Sequence, residues 1–115
     1  LPGGMPGTLN LKAHKGLVDM IHDYHAKGKY LAAICAAPTV FGHRGLLKGK
    51  NACCYPGMED GLVEAKVNEK TVNIDSKIIT SRGLGTAIDF SLAIISELLD
   101  QATADKIGAS VVYNR

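Results

Sequence analysis

The spacing of apolar residues divides the chain into segments of helical and of strand-like pattern. In the first helical segment, Leu17, Ile21 and Tyr24 recur at the intervals of one helix face. The continuously apolar run from Tyr30 to Ile34 predicts a strand that is buried on both faces. The predicted helices are 11–27, 37–47, a helix opening at 86, and 103–109; the predicted strands are 30–34, 51–54, 63–67, 71–75 and 78–81.

The order of these segments predicts the fold class. Strands that alternate with helices favour a mostly parallel α/β sheet with helices on both faces. The runs 63–67 and 71–75 are expected to be joined by a turn at 68–70, as in a hairpin or an excursion from the sheet. Residues 1–8 include three glycines and two prolines, so this segment is expected to be neither helix nor strand.

The helix that opens at Thr86 has the clearest pattern in the chain. Asp89 follows Thr86 by three residues, which resembles a capping box. Residues 111–113 form a terminal apolar patch. The apolar face of the helix is predicted to consist of Ile88, Leu92, Ile95 and Leu99.

Composition narrows the class of protein. The 115 residues suit one domain, and their 46% apolar and 21% charged content excludes a disordered tail or a fibrous repeat. No apolar run approaches the ~18 residues that cross a membrane. Thirteen basic and eleven acidic residues give a net charge of +2, without the basic cluster that binds nucleic acid. Three cysteines are too few for a disulfide framework and favour a reducing, cytoplasmic setting.

The chain begins inside a loop. Leu1-Pro2-Gly3-Gly4 follows no strand and no initiator methionine. Because α/β domains usually begin with a strand, we expect these residues to be the C-terminal part of a longer chain.

Cys35 is the first candidate for chemistry. It directly follows a predicted strand and precedes a predicted helix, with small residues at Ala33 and Ala37. A nucleophile on a sharp strand-to-helix turn requires small neighbours at these positions. A helix N-terminus also favours the negative charge of a thiolate. A buried structural cysteine is the alternative, and the local pattern leaves both interpretations open.

Two loops can contribute to a site around Cys35. The backbone N–H groups of Gly3, Gly4 and Ala36 are candidates for an oxyanion hole, although a glycine pair by itself fits a plain turn better. Arg82 follows a predicted strand at the end where α/β sheets place ligands. It suits either anion binding or the docking of a neighbouring loop or subunit, and docking is favoured.

The remaining thiols and imidazoles are weaker candidates. Cys53 and Cys54 are adjacent on a predicted strand and should face opposite sides, one in the core and the other nearer the site. His22 and His25 share one helix without further ligands, so we predict a solvated helix face and no metal site. His43 heads away from Cys35 and is a poor general base. The chain contains no CxxC pair, P-loop or GxGxxG, so no cofactor is expected.

Three segments together resemble the ThiJ/PfpI superfamily. They are Leu1–Gly4, Ala32–Thr39 and Thr80–Thr86, in the family's order, and the similarity runs through essentially the whole chain. Within the superfamily the chain is most similar to the branch of the parkinsonism-associated protein deglycase. The resemblance implies a flavodoxin-like three-layer sandwich. Residues 1–115 would then be the C-terminal part of a single domain of the class I glutamine amidotransferase-like type.

The resemblance also implies roles for individual residues. Cys35 would be the oxidisable nucleophile, and Gly3, Gly4 and Ala36 would form the oxyanion pocket. The family glutamate that hydrogen-bonds this cysteine would precede Leu1. The missing N-terminal segment would be attached or supplied as a separate chain, the usual assembly would be a homodimer, and residues 1–115 alone would be inactive.

Two departures from related patterns limit the mechanism. The peptidase branch has a histidine where this chain has Ala36, and class I glutamine amidotransferases need a His-x-Glu that is absent here. The deglycase branch often has a histidine at the position of Tyr55. Tyr55 is a hydrogen-bond donor but a poor base near neutral pH, so a mechanism that uses that histidine is in doubt.

The functional expectation follows from the resemblance. It is a cysteine-dependent hydrolase or lyase of glyoxalase or deglycase type, acting on a small aldehyde such as methylglyoxal or on a glycated protein. The alternative is a redox-sensing, stress-response protein that acts through oxidation of Cys35. No residue supports a thiamine-related substrate, a nucleic-acid partner or a membrane partner.

Overall fold

Five α-helices, five strands and two 3₁₀ turns make up residues 1–114, the part of the chain that the computed structural model describes. The strands are β1 Leu31–Ile34, β2 Asn51–Ala52, β3 Lys66–Val67, β4 Val72–Asp75 and β5 Ile78–Ser81. The helices are α1 Gly7–Ala13, α2 Lys15–Ala26, α3 Pro38–Gly42, α4 Ala87–Leu98 and α5 Gln101–Ser110, with 3₁₀ turns at Glu59–Gly61 and Leu84–Thr86.

The main sheet has the order β1-β5-β4. β1 and β5 are parallel, with Ala33 opposite Thr80, whereas β4 is antiparallel to β5. β2 and β3 form a second, parallel pair. The core packs α2 and α3 against β1 around Ile21, Phe41 and Leu47. With α4 packed on the main sheet as well, the arrangement agrees with the predicted flavodoxin-like, mostly parallel α/β fold. No helix within residues 1–114 is long and apolar enough to span a bilayer.

The predicted helix 11–27 is in fact two helices. They meet at His14, whose ψ of 104° is extended, and its Nδ1 accepts a hydrogen bond of 3.0 Å from the N–H of Leu17. The first helix begins at Gly7, so the expectation of no helix in residues 1–8 is wrong for the last two. The carbonyl of Gly4 accepts from both the N–H and the hydroxyl of Thr8, which ties the glycine loop to α1.

The second predicted helix, 37–47, is also too long. α3 ends at Gly42 because the following residues turn, with Gly45 and Gly49 at φ of 74° and 72°. Leu46 and Leu47 are nevertheless buried, since the turns return them to the core. Their apolar spacing therefore reflected burial rather than helix.

Of the two alternatives for 63–67 and 71–75, the hairpin is wrong. β3 pairs with β2, and β4 forms its hairpin with β5 through Ser76 and Lys77. Both turn residues have positive φ, 52° and 65°, as a two-residue hairpin of this twist requires. Neither is glycine or asparagine, so the usual sequence signal for such a turn is missing.

The expected capping box at the start of α4 does not form. The Thr86 hydroxyl instead accepts from the N–H groups of Arg82 and Gly83. The predicted buried face of α4 is also only partly correct, because Ile88 is 45% and Leu99 is 69% exposed. α4 contains no fully buried residue, and Leu99 lies beyond its end.

Candidate active site

Cys35 begins the turn between β1 and α3, residues 35–37, which we call the Cys35 turn. Cys35 has a φ of 66°, in the left-handed region that a non-glycine residue adopts at a cost of about 1–3 kcal/mol. Two backbone hydrogen bonds hold it there: its N–H donates to the carbonyl of Ser81 at 3.0 Å, and its carbonyl accepts from the N–H of Tyr55 at 2.8 Å. The thiol is partly exposed at the carboxyl end of β1.

The helix after the turn is shorter than the sequence predicted. α3 has five residues, so its backbone dipole supports a thiolate less than the predicted helix of eleven would. Ala36 and Ala37 are buried, and the Thr39 hydroxyl donates to the Ala36 carbonyl at 2.7 Å. The turn is therefore held by local hydrogen bonds and close packing more than by a long helix.

The glycine loop lies directly against the Cys35 turn. Leu1 pairs with β1 like one rung of a parallel ladder: its amino nitrogen donates to Ala32 at 2.6 Å and its carbonyl accepts from Ile34 at 3.2 Å. The next residues thus emerge at the carboxyl end of β1. A Cβ on Gly3 would lie 2.7 Å from the Cβ of Cys35, so only glycine fits there without displacement.

The same contact brings Gly3 close to Ala36. A Cβ on Gly3 would lie 3.0 Å from the nitrogen of Ala36. The N–H groups of Gly3, Gly4 and Ala36 donate to no acceptor within residues 1–114. Ala36 is 3% exposed, and a buried N–H without an acceptor is uncommon in proteins. That the three N–H groups together hold a negative oxygen stays a prediction.

Tyr55 lies next to the Cys35 turn. Its backbone is tied to Cys35, and its ring packs on Gly83, where a Cβ would lie 3.7 Å from the ring Cδ1. The side chain is half exposed.

Arg82 lies beside this loop with its side chain 24% exposed, and its guanidinium is 4.0 Å from a carboxylate oxygen of Glu69. The choice between loop docking and anion binding for Arg82 stays a prediction.

The other two cysteines are both buried, so neither thiol is exposed, and the expectation that one of them approaches the site stays a prediction. Cys53 donates its N–H to the Thr80 hydroxyl at 3.2 Å, and Cys54 belongs to the core. Burial raises the pKa of Cys53. Burial, followed by the negative charge of Glu59, raises the pKa of Cys54 to about 12. Both thiols are protonated at neutral pH, which makes them poor nucleophiles.

The histidines lie apart from the site. His14 caps α2, and His22 and His25 lie on α2. His43 follows α3, and burial, with the charges of Lys12 and Arg44, lowers its pKa. Within residues 1–114 no group of three His, Cys, Asp or Glu side chains is placed to hold a metal ion.

Sequence reasoning missed Ser81 as a site residue. Its carbonyl accepts from the N–H of Cys35, and its hydroxyl lies 2.6 Å from the Thr86 hydroxyl while donating to the Thr71 carbonyl. Ser81 therefore joins the Cys35 turn to the loop that carries Arg82 and Gly83. The segment that contains Ser81 was singled out from the sequence for Arg82 and for the family resemblance, and not for Ser81 itself. The pairing of β5 with β1 is what shows that Ser81 holds the Cys35 turn.

Comparison with known proteins agrees with this geometry. Residues 1–97 match the family model described as the DJ-1/PfpI family. The chain belongs to the DJ-1/PfpI family. It is 43% identical, over 97% of its length, to Protein DJ-1 homolog B of Arabidopsis thaliana, of which it covers 26%. It is 33% identical, over 85% of its length, to the glutathione-independent glyoxalase DJR-1.2 of Caenorhabditis elegans, of which it covers 53%.

A solved structure of the DJ-1/PfpI family shows the same fold. The oxidized DJ-1 of Toxoplasma gondii superimposes with a TM-score of 0.92 at 38% identity, over 98% of this chain and 62% of that one. This chain therefore spans less than two thirds of these DJ-1 relatives. The two departures noted from the sequence, Ala36 and Tyr55, both lie at the Cys35 turn.

Proposed function

We propose that Cys35 is the nucleophile of an enzyme that acts on small reactive carbonyls, of glyoxalase or protein deglycase type. The observation that carries the proposal is the strained turn that presents a partly exposed thiol beside the unbonded N–H of Ala36. Family membership and the glyoxalase name of one relative support the same chemistry. Whether the enzyme is a lyase or a hydrolase depends on whether its substrate is the free aldehyde or its adduct with a protein amine.

The proposed first step is addition to the aldehyde. The thiolate sulfur of Cys35 forms a bond to the carbonyl carbon, and the electron pair of the C=O bond moves to the oxygen. The N–H groups of Gly3, Gly4 and Ala36 would hold this negative oxygen until a proton reaches it and a hemithioacetal results. By the family resemblance, the glutamate that would carry the proton would precede Leu1. Turnover is therefore proposed for the intact protein and not for residues 1–115 alone.

The edge of the sheet supports the proposal that a segment before Leu1 completes the domain. Within residues 1–114, Leu1 is the one residue that pairs with the outer edge of β1. A groove of about 190 Å³ beside that edge is lined mainly by apolar side chains, among them Leu17, Met20 and Phe41. The segment would be attached or supplied by a separate chain, and the assembly would be a cytoplasmic homodimer.

The test measures methylglyoxal consumption by the intact protein. Cys35→Ala should lower the rate by about 10³-fold or more, because a covalent step is lost. Cys53→Ala is the matched control, since this thiol is buried away from the solvent, and it should keep the wild-type rate. Unchanged turnover in Cys35→Ala would overturn the proposal.

The second candidate is redox sensing. One partly exposed thiol beside two buried ones is the arrangement in which an oxidant reacts selectively. Mild peroxide followed by mass spectrometry should then add two oxygen atoms at Cys35 and none at Cys53 or Cys54. Such oxidation in a protein that consumes no aldehyde would favour the stress-response role over the enzyme.

A further inference from the structure

Both backbone hydrogen bonds that hold Cys35 lead to the same part of the chain. The N–H of Cys35 donates to the carbonyl of Ser81 at 3.0 Å, and its carbonyl accepts from the N–H of Tyr55 at 2.8 Å. The ring of Tyr55 in turn packs on Gly83, two residues after Ser81. Residues 81–86, which we call the 81–86 segment, therefore support the Cys35 turn from both of its polar sides.

The hydroxyl of Thr86 ties this segment together. Its oxygen accepts from the N–H of Arg82 at 3.2 Å and from the N–H of Gly83 at 3.1 Å. It also lies 2.6 Å from the hydroxyl of Ser81, whose single proton is donated to the carbonyl of Thr71 at 2.6 Å. The Thr86 proton is therefore shared between the Ser81 oxygen and the Gly83 carbonyl, which lies 3.0 Å away. One hydroxyl thus contacts both ends of the support for Cys35.

Capping of α4 does not account for this threonine. Thr86 is the residue directly before α4, but its side chain makes no cap bond to the helix. A capping hydroxyl accepts from an N–H two or three positions later in the chain. The hydroxyl of Thr86 accepts instead from residues that precede it, so it serves the 81–86 segment and not the helix.

We propose that Thr86 is a positioning residue whose hydroxyl holds the 81–86 segment and, through it, the strained conformation of Cys35. The φ of 66° at Cys35 persists only while its surroundings outweigh the cost of that conformation. The hydroxyl contributes by fixing Ser81, the acceptor of the Cys35 N–H, and Gly83, on which Tyr55 rests. The inference rests on the proposed function in so far as Cys35 is the nucleophile. It goes further by assigning the position of the thiol to a residue on another loop.

The test removes the hydroxyl and keeps the shape of the side chain. Thr86→Val does so in the intact protein, and Thr86→Ser restores the hydroxyl. In Thr86→Val, the amides of Cys35 and Tyr55 should lose about tenfold of their protection from hydrogen exchange, the effect of one hydrogen bond. The kcat for methylglyoxal should fall about tenfold and KM should stay within about twofold, because the position of the thiol acts on the covalent step. Thr86→Ser should recover both.

The matched control is Thr80→Val. Thr80 is a buried threonine on β5 whose hydroxyl accepts from the N–H of Cys53, outside the contacts that support Cys35. It should lower stability in urea and leave the protection of the two amides and kcat unchanged. The inference is overturned if Thr86→Val protects both amides as the wild type does, if it loses no more protection than Thr80→Val, or if Thr86→Ser recovers nothing. A change confined to KM would overturn it too, since that result indicates a substrate contact.

A second variant covers the case in which Thr86→Val does not fold. Ser81→Ala removes the partner hydroxyl and leaves the Ser81 carbonyl to accept from Cys35, and it should cause the same loss of protection at both amides. Unchanged protection there would contradict the inference. Absence of methylglyoxal consumption in the wild type would refute the proposed function, whereas the amide protection would still decide whether Thr86 holds the Cys35 turn.

Discussion

Replacement of Gly3 by alanine tests whether the glycine loop sets the position of Cys35. The added Cβ would lie 2.7 Å from the Cβ of Cys35, 2.9 Å from the carbonyl oxygen of Ile34 and 3.0 Å from the nitrogen of Ala36. All three atoms belong to the Cys35 turn or to the residue before it. None is the free end of a flexible side chain, so the loop or the turn must move.

The size of the movement sets the size of the effect. Carbon atoms in contact prefer about 3.5–4.0 Å, so the shortest of these distances must grow by about 1 Å. A displacement of that size at a reacting group costs about 10²-fold in rate, or about 2.7 kcal/mol in transition-state stabilisation. The crowding itself should cost about 1–3 kcal/mol of folding stability. We expect Gly3→Ala to fold and to react slowly.

Two rates in the intact protein measure this effect. The first is kcat/KM for methylglyoxal. The second is the rate of Cys35 alkylation, which reports a change in the position of the Cys35 thiol and does not depend on the substrate. Gly85→Ala is the matched control, because a Cβ there meets nothing within 4 Å. If Gly3→Ala matched Gly85→Ala in both rates and in urea stability, the close approach would have no bearing on the site.

Three further predictions concern stability and thiol chemistry. Gly42→Ala should destabilise the protein by about 3 kcal/mol or more, measured by urea unfolding, because its Cβ would overlap the carbonyl oxygen of Gly61. Gly7→Ala, where a Cβ meets nothing within 4 Å, should be neutral, and equal effects of the two substitutions would contradict the packing. Hydrogen bonds, first of all from the Asn51 N–H, lower the pKa of Asp75 below its ordinary value of 3.8. The ionised carboxylate therefore stabilises the folded protein at pH values above 3.8, and this contribution is lost as the pH falls through the lowered pKa. Acid titration of Asp75→Asn should show less loss in that window, and a curve identical to the wild type would refute the link. Cys54, with its pKa raised to about 12 by burial, should resist alkylation at pH 8 until urea is added, and prompt labelling in the folded protein would contradict its burial.

The spacing of apolar residues along the chain correctly predicted several individual strands and helices. The strand at Leu31–Ile34 and the strand at Ile78–Ser81 were both identified from short apolar runs. The helix after Thr86 was identified from its repeat, although its exposed positions were not. These elements can be read from sequence because burial on a strand or a helix imposes its own spacing of apolar residues.

Elements that depend on long-range contacts were predicted less well. Leu46 and Leu47 have helical spacing with the residues before them. The helix nevertheless ends before Gly45, which has a positive φ, and the turns that follow bring both leucine side chains into the core. The hairpin alternative for 63–67 and 71–75 was likewise wrong, because β4 pairs with β5. A strand has no local preference for one partner over another, so the short Ser76–Lys77 turn decided the pairing.

The candidate site divides in the same way. The sequence by itself determined which reactive groups are present. These are a cysteine between a strand and a helix, its small neighbours, and a glycine pair in a segment that resembles one family. Only the tertiary structure decided that Gly3 touches Cys35, that Cys54 is buried, and that Tyr55 is tied to the turn. The physical reason is that residue type fixes which groups can react or donate. Their distances are set by the pairing of Leu1 and β5 with β1, which brings together residues far apart along the chain.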